Sequence, residues 1–250
     1  MHSSMAVSPS AAATKPVRRL HPARKRACAV IPARDEADDV GDVVRRVLEA
    51  GIPAIVIDDC SNDRTAEIAR AAGAMVLRLP FHGGSWAAIQ TGMRQALALG
   101  FGYVITLDAD GQHHPEDIPA LLERMDAPDA PDVIIASCPD RANQRRKLAW
   151  RVLRALSGLN IDDLTSGYRV YAREAVQLLA SQDCTLLEYQ DVGVLLHLVR
   201  NRFEIVEDHV RMRPRRHGRS RVFSSWAMVG YYLVYSCLIG GSRRVRRTRR

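Results

Sequence analysis

From Ala27 onward, short apolar runs alternate with stretches whose apolar residues recur every three or four positions. The runs predict strands at 27–32, 54–58, 74–79, 103–108 and 132–137. The stretches between them predict helices at 37–50, 62–72, 85–99 and 115–125. Ser61, Asn62 and Asp63 are available to cap the second helix, and Pro115 opens the fourth. Strand–helix alternation with short connections implies a mostly parallel α/β sheet with right-handed crossovers. After Asp140 the pattern loosens. A basic amphipathic helix is expected at 144–156, a short strand at 168–171, helices near 174–180 and 188–199, and a strand at 203–206. No internal repeat is present.

The polar clusters fall where these strands end. Arg34-Asp35-Glu36, Asp58-Asp59 and Asp108-Ala109-Asp110 each follow the C-terminal end of a predicted strand. In open parallel sheets the ligand crevice lies along that edge. Like charges repel, so packing alone gives no reason to gather acids there, whereas a bound cation, ribose or base does. If the strand stays extended through Asp110, alternation puts Asp108 and Asp110 on one side. Two hard oxygen ligands suit Mg²⁺ or Mn²⁺ shared with water and a diphosphate.

Charge adds a second pattern. The net charge of +8 conceals three basic segments, 1–26, 211–221 and 243–250, each with six Lys/Arg and no acid. The body between 27 and 210 is acidic. Such patches seek phosphate, as nucleic acid, anionic lipid or a phosphorylated substrate. The arms at 1–26 and 243–250 contain no aromatic residue, which argues against nucleic-acid binding. Residues 1–26 lack an apolar core segment and read as a disordered basic arm rather than a signal peptide. The five cysteines, with no C-x-x-C, are ordinary usage for a reducing cytoplasm. No G-x-G-x-x-G follows the first strand, which argues against a dinucleotide oxidoreductase.

Four motifs now stand in order: D-D-C-S-N-D-R-T-A at 58–66, L-D-A-D-G-Q-H-H-P at 107–115, T-S-G-Y-R at 165–169 and R-R-H-G-R-S-R at 215–221. Together they resemble the family-2 glycosyltransferases, and within them the dolichyl- or polyprenyl-phosphate hexosyltransferases, over about residues 28–222. The resemblance implies an α/β fold of the GT-A type, a mostly parallel sheet flanked by helices, with a C-terminal membrane-surface helix. It divides the chain into a basic arm (1–26), a glycosyltransferase domain (27–222) and an apolar helix with a basic tail (223–250).

The resemblance also implies site residues. Pro32, Arg34 and Glu36 match the first nucleotide-binding turn, with Arg34 in place of a tyrosine and Asp35 in place of an asparagine. Asp58 and Asp59 match the base-binding acidic pair. Asp108, Ala109, Asp110 and Gln112 match the diphosphate and metal signature, with Asp108, Asp110 and Gln112 as ligands to Mg²⁺ or Mn²⁺. Ser166 and Arg169 match the acceptor-phosphate segment. Arg215 and Arg221 match the grip on the donor diphosphate, and Cys138 stands where the family usually keeps an arginine. His82, His113 and His114 read as loop polar groups rather than ligands. Gly83-Gly84 fits either a tight turn before a helix or close backbone approach to a ligand.

The implied reaction is inverting transfer of a hexose from a nucleoside-diphosphate sugar to a polyprenyl phosphate at the cytoplasmic membrane face. The alternative acceptor is a hydroxyl of a glycan or small molecule, with Asp191 as catalytic base. The Q-x-x-R-W that marks processive members is missing, which favours the phosphate. The uncharged run 223–241 is just short of the roughly 20 residues that span a bilayer. It reads first as an in-plane or shallowly inserted helix that attaches the protein peripherally to an anionic surface, with a true span and a soluble packed helix as the alternatives and room for a membrane-protein partner.

Overall fold

The computed structural model describes residues 26–138, 161–163, 166–185 and 192–213. In chain order these residues form β1 (Ala27–Ala33), α1 (Val40–Glu49), β2 (Ala54–Asp58), α2 (Thr65–Ala71), β3 (Met75–Arg78), α3 (Ser85–Ala98) and β4 (Tyr103–Thr106). A 3-10 turn at Pro115–Asp117 leads into α4 (Ile118–Asp126), followed by β5 (Val133–Ser137), β6 (Arg169–Ala172), α5 (Arg173–Leu179), α6 (Val192–Arg200) and β7 (Ile205–His209).

The strands make one sheet in the order β3-β2-β1-β4-β6-β5-β7. β1 pairs in parallel with both β2 and β4, and β5 with β7; β6 runs antiparallel between β4 and β5. The chain winds outward from β1 to β3, then returns to place β4 on the other flank of β1. That reversal is the switch point at which a parallel sheet opens a crevice beyond its strand ends.

Side-chain alternation sorts the sheet into two apolar faces. Ala27, Ala29, Ile31 and Ala33 of β1 join Val56, Ile105, Ile134 and Val170 under α1, α2 and α4. Cys28 and Val30 join Ile55, Ile57, Val104 and Tyr171 under α3, α5 and α6. Helix α1 meets its face through Val40, Val43, Val44 and Val47, the one-sided stripe of a surface helix. Helix α3 buries Trp86, Ile89, Met93 and Ala96 on the other. Burial pushes the Cys28 thiol up to about 12, which makes it an inert core group.

Helix α3 approaches β1 so closely that a Cβ on Gly92 would stand 2.3 Å from Val30 Cγ1 and 3.2 Å from Ile57 Cγ1. Gly92→Ala therefore overpacks a filled interior and is expected to destabilise the protein by about 1–3 kcal/mol. Denaturant unfolding would show it as a lower midpoint with an unchanged slope.

The predicted first five strands and four helices are all present, with ends shifted by a few residues. Two differences have physical causes. The expected strand to Asp108 stops at Thr106, because Ala109 and Asp110 enter a turn and Gly111 takes φ +72°. Asp108 and Asp110 are thus not aligned by strand alternation. The last strand, expected at 203–206, instead occupies 205–209. Its backbone pairs with β5 through Ile135↔Glu207, Ala136↔Asp208 and Ser137↔His209. On an edge strand, ladder pairing carries the element through three polar residues that an apolar pattern misses. The expected helix at 144–156 and the run 223–241 lie outside the described residues.

Candidate active site

Three polar turns converge at the C-terminal edge around β1. The end of β2 is tied to the end of β1 by Asp59 N–H donating to Ala33 O at 2.8 Å. The turn after β1 and the turn after β2 then clasp each other. Asp35 N–H donates to Ser61 Oγ (3.0 Å), Asn62 N–H to Asp35 Oδ1 (2.8 Å), Glu36 N–H to Thr65 Oγ1 (2.8 Å) and Ala37 N–H to Asp63 Oδ2 (3.1 Å). Asp35 sits at φ +50°, a left-handed conformation that Asp and Asn tolerate better than most residues. That is a reason for a residue of this kind between Arg34 and Glu36. Asp63 also accepts the Thr65 N–H at 2.9 Å just ahead of α2, whose cap position is Arg64.

The acidic pair that follows β2 faces inward. Asp58 Oδ1 accepts the Ser61 N–H at 3.1 Å and Oδ2 lies 3.2 Å from Arg78 Nε, with the carboxylate 1% exposed. Asp59 holds the loop ahead of α3. Its Oδ1 accepts Gly83 N–H at 2.7 Å, and its Oδ2 takes Gly84 N–H at 3.0 Å and His82 Nδ1 at 2.7 Å.

The D-x-D turn follows β4, on the other side of β1. Asp110 Oδ1 accepts the Gln112 N–H at 3.1 Å, which closes the turn. The Asp108 carboxylate is 49% exposed, and His113 Nε2 lies 3.2 Å from its Oδ2. A carboxylate only accepts, so His113 carries its proton on Nε2. The buried His113 ring packs on Tyr168, 5.1 Å between centroids. Gln112 Nε2 donates to Arg213 O at 3.4 Å, which turns its carbonyl oxygen away from that contact.

Two carboxylates and an amide oxygen make a hard, oxygen-only donor set. A hydrogen-bonded ligand carboxylate is also the usual support in metal sites. By donor chemistry, Asp108, Asp110 and Gln112 are the residues that could hold Mg²⁺ or Mn²⁺, with substrate oxygens and water completing the shell. Bound there, the ion would supply positive charge to a departing diphosphate.

The segment that ends in β6 is brought against this turn. Thr106 Oγ1 donates to Gly167 O at 2.8 Å, and Tyr168 Oη donates to His114 O at 3.0 Å. Burial and the neighbouring acids raise the Tyr168 phenol well above its ordinary range, so it stays a donor. A Cβ on Gly167 would lie 2.9 Å from Asp108 Oδ1 and 3.2 Å from Oδ2. Ser166 and Arg169 are fully buried: the Ser166 hydroxyl donates to Ala136 O at 2.7 Å, and Arg169 Nε donates to Ser166 O at 2.9 Å. Their described contacts shape the loop.

Two supports escape sequence reasoning. Glu207 of β7 accepts the N–H groups of Asp162 (2.6 Å) and Asp163 (2.9 Å), fixing the approach to Ser166. The only signal for it is an acid within a strand. Arg46 of α1 makes a two-point contact with Glu116, Nε–Oε1 2.8 Å and Nη2–Oε2 2.7 Å, behind the D-x-D turn. That contact, above all, pulls the Glu116 carboxyl down to about 2 from an ordinary 4.5. A lowered folded-state pKa stabilises above the unfolded value and is lost as pH falls toward the folded one. The wild-type melting temperature should therefore drop faster than that of Glu116→Gln between pH 4.5 and about 2. Parallel curves would remove the contact from the acid stability of the fold.

Of the expected site residues, the fold brings Pro32, Arg34, Glu36, Asp58, Asp59, Asp108, Ala109, Asp110 and Gln112 to one edge of the sheet, with Ser166 and Arg169 beside it. Asp191, Arg215 and Arg221 lie outside the described residues. Asp191 directly precedes α6, and Arg215 follows two residues after Arg213, whose N–H donates to Gln112 O at 2.8 Å. The basic segment thus begins beside the D-x-D turn.

Comparison with solved structures agrees with this architecture. Glucosyl-3-phosphoglycerate synthase from Mycobacterium tuberculosis, in complex with Mn²⁺, UDP-glucose and phosphoglyceric acid, superimposes with a TM-score of 0.69 at 21% identity, over 86% of this chain and 80% of that one. The fold is the GT-A type of the nucleotide-diphospho-sugar transferases. The family model "Glycosyl transferase family 2" matches residues 28–179, and the chain belongs to that family. Among curated relatives, polyprenol monophosphomannose synthase of Mycolicibacterium smegmatis is 28% identical over 221 residues, 80% of this chain and 82% of its own. Undecaprenyl-phosphate mannosyltransferase of Micrococcus luteus is 29% identical over 231 residues, 84% and 91% of the two chains.

Proposed function

We propose that this protein transfers a hexose, with inversion, from a nucleoside-diphosphate sugar to a polyprenyl phosphate. The observation that carries this reading is the abutment of Gly167 on Asp108. It sets the segment expected to receive the acceptor against the carboxylate expected to sit at the donor diphosphate. The names of the two curated relatives, both polyprenyl-phosphate mannosyl enzymes, support the same acceptor class.

In this reading Pro32, Arg34 and Glu36 line the nucleoside side of the crevice, and the inward-facing Asp58 and Asp59 support it by holding the turns behind it. Asp108, Ala109 and Asp110 meet the diphosphate, with Gln112 as the third ligand for Mg²⁺ or Mn²⁺. Ser166 and Arg169 hold the acceptor loop in place, and Arg215 and Arg221 offset charge on the leaving diphosphate. A phosphate monoester is largely ionised at pH 7, with a second pKa of about 6. Such a nucleophile needs positioning rather than a general base. A hydroxyl acceptor would need one, and Asp191 is the candidate base for that alternative.

No helix among the described residues is long and apolar enough to cross a membrane. We place the protein at the cytoplasmic face, attached through 223–241 and its flanking arginines. Sedimentation with anionic liposomes tests this attachment, and failure to co-sediment would remove it.

The direct test incubates the protein and Mn²⁺ with labelled nucleotide sugars and a short polyprenyl phosphate, then counts label in the organic phase. Label that depends on one donor and on Asp110 is the expected result. Donor hydrolysis without lipid labelling would overturn the acceptor. Loss of a hydroxyl-directed activity in Asp191→Asn would then establish the alternative.

A further inference from the structure

We propose that the apolar groove at the pole opposite the crevice is the seat of the chain's own N-terminal arm, which lays Ala23 and Leu20 into it. The inference is independent of the transferase reading.

The groove opens where the strands begin. Leu48 at the end of α1, Pro53 ahead of β2, Met75 in β3, Leu99 after α3 and Phe101 ahead of β4 line an open depression of about 430 Å³. Met75 is 43% exposed and Leu99 39%, so two of the four large apolar side chains left exposed among the described residues fall in this one concavity. Single exposed apolar residues need no explanation, but a concave cluster of them gains by being covered.

The occupant follows from where the arm departs. Arg26 lies at the rim: its guanidinium stands 5.2 Å from the centroid of the Phe101 ring, and its carbonyl accepts the Gly102 N–H at 2.8 Å. Residues 1–25 therefore leave the body at the edge of the groove. So short a tether holds a segment at an effective concentration on the order of millimolar, which a second copy matches only when the protein is highly concentrated.

The sequence of the arm fits this seat. Val17, Leu20, Ala23 and Arg26 recur at every third position, and the basic residues of 18–25 all fall between them. A polyproline II helix has three residues per turn, so this repeat puts the apolar residues on the edge that carries Arg26 and the basic ones on the other two. Pro16 and Pro22 favour that conformation, in themselves and in the residues before them. Length agrees as well. From Phe101 to Met75 the groove crosses the β4–β1, β1–β2 and β2–β3 gaps, about 14 Å at ordinary strand spacing. The polyproline II run from Arg26 to Leu20 spans about 19 Å. Ala23, without bulk, then passes over the middle of the groove, and Leu20 reaches its Met75 end. The basic residues stay in water beside a body that is acidic overall.

The test compares thermal unfolding of the full-length wild type, Leu20→Asp, Met75→Gln, the double variant and Val7→Asp, a like change elsewhere in the arm. Leu20→Asp should lower the melting temperature by about 2–4 °C, whereas Val7→Asp leaves it unchanged. The double variant should lose no more than the larger single loss. Amide hydrogen exchange adds a direct readout: residues 19–25 should be protected in the wild type and lose that protection in Met75→Gln. A Leu20→Asp variant with the native melting temperature, additive losses in the double variant, or unprotected residues 19–25 in the wild type overturns the inference. So does a concentration-dependent dimer in sedimentation velocity that Met75→Gln abolishes and Leu20→Asp leaves intact, which would give the groove to a second copy.

Discussion

Gly167→Ala is expected to lower transfer activity by about a hundredfold while leaving the protein folded. The new methyl would stand 2.9 Å from Asp108 Oδ1, closer than real Cβ contacts allow, and 3.2 Å from Oδ2. What yields is the end of a short side chain that is 49% exposed, so accommodation costs little stability. The displaced group is nevertheless the carboxylate expected to meet the metal and the diphosphate. Misplacement of a reacting group by about 1 Å costs on the order of 10²-fold. The paired measurement is kcat against thermal unfolding. A variant with native activity would show that the distance between the acceptor loop and Asp108 is not a catalytic parameter. A variant that simply unfolds would show that the loop, and not the carboxylate, had to move.

Asp110→Asn should cost at least as much, about 10²–10³-fold, by removing one charged contact at the developing diphosphate. The substitution is informative because it is nearly isosteric. Asp110 Oδ1 accepts the Gln112 N–H at 3.1 Å, and an asparagine oxygen keeps that bond and hence the turn. Only the charge is lost. Mn²⁺ binding in the presence of a nucleoside diphosphate should weaken together with kcat, at an unchanged melting temperature. Native metal affinity in the variant would exclude Asp110 as a ligand.

The sheet was legible because burial on both faces forces near-continuous apolar strands, and each crossover helix has a one-sided stripe. The candidate site was legible where residue type is dictated by chemistry, as in Asp58-Asp59 and Asp108-x-Asp110. It was not legible where a residue works through a neighbour distant in sequence. Glu207 reaches Asp162 and Asp163 across 45 and 44 positions, and Arg46 reaches Glu116 across 70. Nothing local in either sequence context records those partners. His113 was readable only as a polar loop residue. Its contacts with Asp108 and with the Tyr168 ring make it a support of the D-x-D turn.

By itself, then, the sequence determined the alternation of strands and helices, the edge at which polar turns collect and the family to which they belong. Periodicity and residue chemistry are local properties, and they survive being read in one dimension. The tertiary structure alone decided which acids face the crevice and which are turned inward onto backbone N–H groups. It also set Gly167 against Asp108 and left His82 half exposed beside a buried Asp59. Those outcomes depend on how closely separate loops approach in space, and that distance is fixed only when the sheet, with β1 at its switch point, brings their ends together.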